Sequence, residues 1–361
     1  MLTPVYSHYH HGREGNSLSK KTIIVVGAGI VGASIAYHLA KKNVSVTVVE
    51  QATPASGATG KAFGWVNTTV TEDAPDAFLR RTAIHDWLRL IQEIPEIKVN
   101  WSGAVSYGTT QPHQTAGLQP LSLAALNALE PALNAPASQA WYAQQEGTLE
   151  PAEVTRQLLE KARSLGTRLK IATPVREFIR SEGKIRGVIT PDECLLADGV
   201  VLACGIEIPT LLASEGIVLP VIASPAVLYK YHSSQRIVET LVAGDDIELR
   251  HAPDGSLIVA EDYPPGGDIS ALAEQVKSAI HRRFQGDVLL ELFAQNVGLR
   301  PTPQDGYPLL GVIEPAGIYV ATMHPAVTCA ATIGRIVSEE ILSGQNPQIP
   351  ESYRPSRFIF P

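Results

Sequence analysis

The sequence predicts an α/β fold: a Rossmann-like parallel sheet with helices on it, joined to an α+β part built on an antiparallel sheet. Three observations predict it. The apolar run Thr22-Ile23-Ile24-Val25-Val26 leads into Gly27-Ala28-Gly29-Ile30-Val31-Gly32 and then into a helical pattern. Two later apolar runs, Gly199 to Ala203 and Gly317 to Thr322, read as strands returning to the same sheet. Between them, residues 217–263 are rich in Val, Ile, Leu and Tyr at strand spacing.

A chain of 361 residues, 45% hydrophobic and 18% charged, has enough apolar material for a substantial core. The net charge of −7 comes from interspersed acids, and no stripe of Lys and Arg exists for nucleic acid to follow. Cys194, Cys204 and Cys329 stand far apart, with no neighbouring His set at ligand spacing. They read as reduced, mostly buried thiols of a cytoplasmic protein, and no metal is expected. No apolar run reaches the roughly 18 residues that cross a bilayer. Residues 1–20, with His8, His10 and His11, read as a flexible polar leader rather than a secretory signal or a metal tract.

Taken in order, Thr22–Val26 suits a central strand buried on both faces. Gly27 permits the tight turn, Gly29 lets backbone N–H groups approach a pyrophosphate, and Gly32 allows the helix to lie close. Ile30 and Val31 open that helix, whose positive dipole end suits phosphate. Ala33, Ala36, Leu39 and Ala40 repeat at helical spacing until Lys41-Lys42-Asn43. The second strand, Val44 to Val49, ends at Glu50, about 20 residues on, where an acid accepts from ribose hydroxyls. Gln51 follows it, and Glu50 would repel a 2′-phosphate.

The glycines alone do not choose between NAD and FAD; three later segments do. Ser56 to Asn67, containing Thr59, Lys61, Ala62, Phe63, Gly64 and Trp65, is a small-residue loop suited to run along a pyrophosphate toward a flavin ring. Ile171 to Val175 leads through a strand pair turning at Glu182-Gly183 to the run ending Ala203-Cys204-Gly205, where glycine permits close approach. Last comes Asn296 to Gly311, with Gly298-Leu299-Arg300-Pro301 and Tyr307. The strand Gly317–Thr322 then passes through Met323-His324-Pro325-Ala326-Val327-Thr328 into a helix ending near Leu342.

In this order the segments resemble the D-amino acid oxidase and glycine oxidase superfamily of FAD-dependent oxidoreductases, from Thr22 to about Leu342. The resemblance implies one FAD, used to oxidise a small amine or amino acid. It implies an FAD domain assembled from residues 21–67, 151–205 and 298–345, a substrate domain of 68–150 and 206–297, and a tail at 346–361. It points to Gly27, Gly29, Ile30, Val31, Gly32, Glu50, Gln51, Thr59, Lys61, Ala62, Phe63, Gly64, Val175, Ala203, Gly205, His324, Pro325, Ala326, Val327 and Thr328 as cofactor-binding. Where relatives carry Ser-Gly, this chain has Pro325-Ala326; proline offers no N–H and alanine resists positive φ, so one flavin contact is in doubt. Some relatives attach flavin through a cysteine near the Gly-Leu-Arg-Pro stretch. Here Leu299 and Arg300 stand there, so non-covalent FAD is expected.

Arg300 is the first candidate for the substrate, because a planar guanidinium grips a carboxylate in two places; in the resembled family this arginine has that role. Glu248 and Arg250 share one face of an expected strand, and Trp65 and Tyr307 are candidate walls. No residue is assigned as a certain catalyst. The turn Ala252-Pro253-Asp254-Gly255 predicts a hairpin between Ile247–Arg250 and Ser256–Val259, and Ile269 to Phe284 has helical periodicity. A partner subunit or homo-oligomer is compatible with the sequence. The competing readings are an NAD-dependent dehydrogenase, and a flavin-bearing subunit or structural flavin.

Overall fold

The computed structural model describes residues 20–108, 117–134, 139–263 and 266–358. His8, His10 and His11 lie outside the described residues.

The strand Thr22–Val26 sits inside a six-stranded sheet. From one edge the order is Leu309–Ile313, Ile318–Thr322, Gly199–Leu202, Thr22–Val26, Ser45–Val49 and Arg168–Lys170. Every pairing is parallel except that of Leu309–Ile313 with Ile318–Thr322. The unbroken apolar run of the first strand follows from this position. Ile23 and Val25 join a core beneath the helices Ile30–Lys41, Ala77–Glu93, Pro151–Ser164 and Ala326–Ser343. Ile24 and Val26 join a second core on the other face, roofed by Phe178, Ile185, Val188 and Leu195 of a three-stranded antiparallel meander. In that meander Glu182 and Gly183 take positive φ, 51° and 77°, as a two-residue hairpin turn requires.

A second, eight-stranded sheet runs Leu290–Pro303, Val221–Ser233, Leu257–Asp262, Glu248–His251, Leu241–Ala243, Ala104–Tyr107, Ala140–Ala143, Leu118–Leu121. It is mixed rather than purely antiparallel, because Leu241–Ala243 runs parallel to Ala104–Tyr107. The expected hairpin forms, with Leu249 opposite Val259. Tyr229, Tyr231, Leu249 and Val259 pack with Val276 and Ile280 of helix Ile269–Arg283. The alternate residues of the same strands face the parallel sheet's strand ends.

Three expected boundaries move. Helix Ala77–Glu93, placed with the substrate part by its position, buries Leu79, Ala83, Trp87 and Leu90 in the core of the parallel sheet. Ile208 and Leu212 likewise pack beneath that sheet. The boundary at 298 falls inside one strand, Leu290–Pro303, paired along its length with Val221–Ser233. Within the C-terminal tail, Tyr353 is buried in the parallel-sheet core, and Arg354 Nη1 meets Glu340 Oε1 at 2.6 Å. Of the three thiols expected to be mostly buried, Cys329 is buried, Cys204 is intermediate and Cys194 is exposed.

Among the described residues no helix is long and apolar enough to cross a membrane. No group of three or more His, Cys, Asp or Glu side chains there is placed to hold a metal ion.

Candidate active site

A cavity of about 710 Å³ opens at the carboxyl ends of Thr22–Val26, Ser45–Val49, Gly199–Leu202 and Ile318–Thr322 and extends beneath the large sheet. Its position follows from topology. The chain leaves the first strand toward Ser45–Val49 and later returns to its other side as Gly199–Leu202, so the connections part at the strand tips. Gly27, at φ +104°, lies against this crevice so tightly that a Cβ would come within 2.7 Å of the Ala203 carbonyl oxygen. A Cβ on Gly32 would reach 2.1 Å from the Gly27 oxygen. Gly32 therefore does not line the cavity; it lets the helix sit against the loop that does.

The Glu50 carboxylate is already engaged on one side. Its Oε2 accepts from the Ala28 N–H at 2.8 Å, and its Oε1 accepts from the Ala52 N–H at 2.9 Å. These bonds hold it at the cavity edge, beside Gln51, Gly29, Ile30 and Val31. Thr59 Oγ1 accepts from the Ile30 N–H at 3.1 Å, tying the loop to the helix N-terminus. Val175, Ala203 and Gly205 form the next stretch of wall, with Gly205 at φ +62°.

Loop residues Lys61, Ala62, Phe63, Gly64 and Trp65 all reach the cavity. The loop is fixed by two buried charged groups. Glu146 accepts from the Trp65 indole N–H at 2.8 Å and from the Thr68 and Thr69 N–H groups at 2.8 and 2.6 Å. Arg250, only 2% exposed, donates to the carbonyls of Phe63 at 2.7 Å and Leu149 at 3.3 Å and pairs with Glu150 at 2.8 Å. Arg250 is thus spent on holding the loop to the large sheet and does not line the cavity, which corrects its place as a substrate candidate. Tyr307 is also displaced: it packs against the parallel-sheet core instead of walling the cavity.

At the last helix, His324, Pro325, Ala326, Val327 and Thr328 all line the cavity. Pro325 is the N-cap and makes no side-chain cap bond. Thr328 takes over the local anchoring, donating to the Trp65 carbonyl at 3.0 Å and accepting from the Asn67 N–H at 3.1 Å. His324 lines the open space and is itself exposed there. Partial desolvation by the surrounding wall, aided by the charges of Arg300 and Arg80, lowers its pKa to about 4, so the ring is neutral near pH 7. Thr322, 2% exposed, has a hydroxyl without a hydrogen-bond partner among the described residues, at the cavity wall.

On the opposite wall stand Glu248 and Arg300. Arg300 Nη2 donates to Asp262 Oδ1 at 2.8 Å, Ser224 Oγ at 3.0 Å and the Pro225 carbonyl at 3.3 Å. Burial, reinforced by Glu261 and Asp262, pushes the Glu248 carboxyl up to about 7. Burial also raises the Cys204 thiol beside Gly205 to about 12, leaving it protonated and a poor nucleophile.

Sequence reasoning missed Arg80 and the Thr322 hydroxyl. Arg80 reads as an ordinary solvated cation on an amphipathic helix. Its guanidinium lines the cavity through bonds to Asp76 at 2.6 Å and Asn67 at 2.8 Å, which no sequence pattern announces.

Residues 22–340 match the family described as FAD dependent oxidoreductase. The chain is 21% identical over 369 residues to the bifunctional protein ThiO/ThiG of Trichormus variabilis, covering 94% of this chain and 55% of that one. It is 29% identical over 205 residues to a D-amino acid dehydrogenase of Rhizobium johnstonii, covering 54% and 49%. The chain thus spans about half the length of these curated relatives. Glycine oxidase from Geobacillus kaustophilus shares the fold, with a TM-score of 0.80 at 20% identity over 94% of this chain and 100% of that one.

Proposed function

Since this chain belongs to the family of FAD-dependent oxidoreductases, we propose that it oxidises the carbon–nitrogen bond of a small amine or amino acid. The observation that carries the reading is one continuous cavity. It joins the glycine crevice and Glu50 at one end to Glu248, Arg300 and His324 at the other.

The residues present fit FAD. Gly27 and Gly29 keep side chains out of the crevice. The first turn of helix Ile30–Lys41 carries no acid, so its N–H groups suit a pyrophosphate. Glu50 suits the ribose hydroxyls, and Thr322 supplies an unused hydroxyl. When bound, FAD takes up the two electrons and the α-hydrogen of the substrate as the carbon–nitrogen single bond becomes an imine. With Leu299 and Arg300 where some relatives carry the attaching cysteine, this reading has the cofactor held without a covalent bond.

In this reading Arg300 exchanges its Asp262 partner for the substrate carboxylate and so fixes the α-carbon. His324, being neutral, adds no charge to compete with that grip. Water then hydrolyses the imine to the oxo product and ammonia or an amine. Oxygen or another acceptor restores the cofactor.

The test is the absorbance of the purified holoprotein near 450 nm during anaerobic addition of amino acids and N-alkyl amino acids. Bleaching by one class is the expected result. A flavin that no amine bleaches would instead fit a subunit needing a partner, and a protein that takes up no FAD would overturn the reading. Arg300→Ala should raise KM for a carboxylate substrate by about tenfold or more, the worth of one charge-assisted pair; an unchanged KM removes Arg300 from that role.

A further inference from the structure

Arg80 is a cation of the cavity wall to which the proposed function gives no task. It stands near the start of helix Ala77–Glu93, which is fastened to the last helix lower down, where the Trp87 indole N–H donates to the Thr328 carbonyl at 2.8 Å. Arg80 and Trp87 lie two turns apart, about 10 Å of helix, on one face. Arg80 Nη1 donates to Asn67 Oδ1 at 2.8 Å, and the Asn67 N–H donates to Thr328 Oγ1 at 3.1 Å. The guanidinium is thereby tied to the first turn of helix Ala326–Ser343. Its Nε is held by Asp76 at 2.6 Å. Asp76 does not line the cavity and Arg80 does, so the positive end of the pair faces inward. The Arg80 side chain is only 19% exposed, and its Nη2 has no partner among the described residues. Lys61 and Arg176 also border the cavity, but both are exposed, where water screens their charge.

Three further features make this end of the cavity a place for negative charge. Helix Ala326–Ser343 has no acid in its first turn, and the N–H groups of Ala326, Val327 and Thr328 have no intrahelical partner. Pro325, the N-cap, adds neither an N–H nor a side-chain cap, so the helix start is one donor short. The Thr322 hydroxyl, buried and unpartnered, lies on the same wall. We propose, resting on the reading of this cavity as the FAD site, that Arg80 is the counter-charge of the flavin: it meets the negative charge that the ring gains on reduction, where Pro325 offers no donor. Two electrons taken up with one proton leave the ring one negative charge richer. A cofactor whose pyrophosphate rests at Gly27–Ile30 has its ring toward the far end of the cavity, and there Arg80 stands with the helix start while Arg300 stands on the large sheet. A fixed cation in a partly water-excluded site favours the charged form without having to reorganise. The two arginines thus divide the work, Arg300 holding the substrate carboxylate and Arg80 favouring reduction of the ring.

The experiment measures the midpoint potential of the FAD-loaded protein, and the Kd of acetate as a carboxylate that is not oxidised, in the parent and in Arg80→Gln, Arg80→Lys, Asp76→Asn and Arg300→Ala. Arg80→Gln should weaken the preference for reduced flavin by about tenfold or more, lowering the two-electron midpoint potential by about 30 mV or more, with the acetate Kd unchanged. Arg80→Lys keeps the charge and should recover most of that potential. Asp76→Asn, which removes the neutralising partner, should raise the potential, and it decides the matter should Arg80→Gln fail to fold. Arg300→Ala should do the reverse of Arg80→Gln, weakening acetate and leaving the potential alone. An unchanged potential in Arg80→Gln at full flavin occupancy, equal falls in the Gln and Lys variants, a potential in Asp76→Asn that does not rise, or weaker acetate binding in its place would each overturn the assignment of Arg80. A protein that takes up no FAD would instead overturn the proposed function itself, and acetate binding untouched in Arg300→Ala would remove Arg300 from its role while leaving that of Arg80 standing.

Discussion

Two arginines with similar sequence surroundings end in opposite situations. Arg250 and Arg300 both sit on strands of the large sheet, and both were candidates for the substrate. Arg250 is sealed between the loop and the sheet, its guanidinium 5.6 Å from the Phe63 ring centre as well as bonded to three carbonyls and Glu150. Truncating it would leave Glu150 and those carbonyls without their donor. Arg250→Leu should therefore lower unfolding free energy by on the order of 3 kcal/mol, read from the denaturant midpoint. It should also reduce flavin content at a fixed FAD concentration, because Phe63 and Gly64 lose their anchor. A variant as stable as the parent would show that the tie contributes nothing. Arg300, by contrast, is tied at an open edge to the exposed Asp262, and a surface pair of this kind is worth little. That weakness fits the proposed exchange of Asp262 for a substrate carboxylate.

At the scale of elements, the glycine fingerprint is a packing device as much as a binding one. Alanine is a better helix former than glycine by about 1 kcal/mol, so propensity alone would favour Gly32→Ala. The geometry opposes it, since the new Cβ would stand 2.1 Å from a backbone oxygen that cannot swing away. The helix start would have to lift from the loop. Gly32→Ala is expected to weaken FAD binding by at least tenfold, measured as Kd by fluorescence quenching on reconstitution. Retained affinity would show that the loop yields more easily than the packing suggests. The strand Leu290–Pro303 carries a related lesson. Its Gly298 passes the loop so closely that a Cβ would lie 3.1 Å from the Lys61 Cβ, so one strand serves both the large sheet and the cofactor loop.

For the molecule as a whole, the cavity is walled by both sheets, so a ligand filling it braces the two parts together. FAD at 100 times its Kd should stabilise the fold by about 2.7 kcal/mol, raising the melting temperature by several degrees with a single shared transition. Two separated transitions, with only one of them moving, would mean that the halves unfold independently.

Local chemistry alone made the first strand, the glycine turn, the helix after it, Glu50 and the hairpin around Asp254 legible. Each depends on a short run of neighbours whose spacing has one low-energy solution, and the family resemblance extended that reading to the order of the later segments. Tertiary packing decided the rest. That helix Ala77–Glu93 joins the parallel-sheet core, that Arg80 reaches the cavity, and that Arg250 is spent on the loop are matters of contacts between residues far apart in the chain. No sequence window contains them. The separation of Arg300 from Glu248 likewise depends on the register of four strands, and register is set only when both faces of the sheet have found what they pack against.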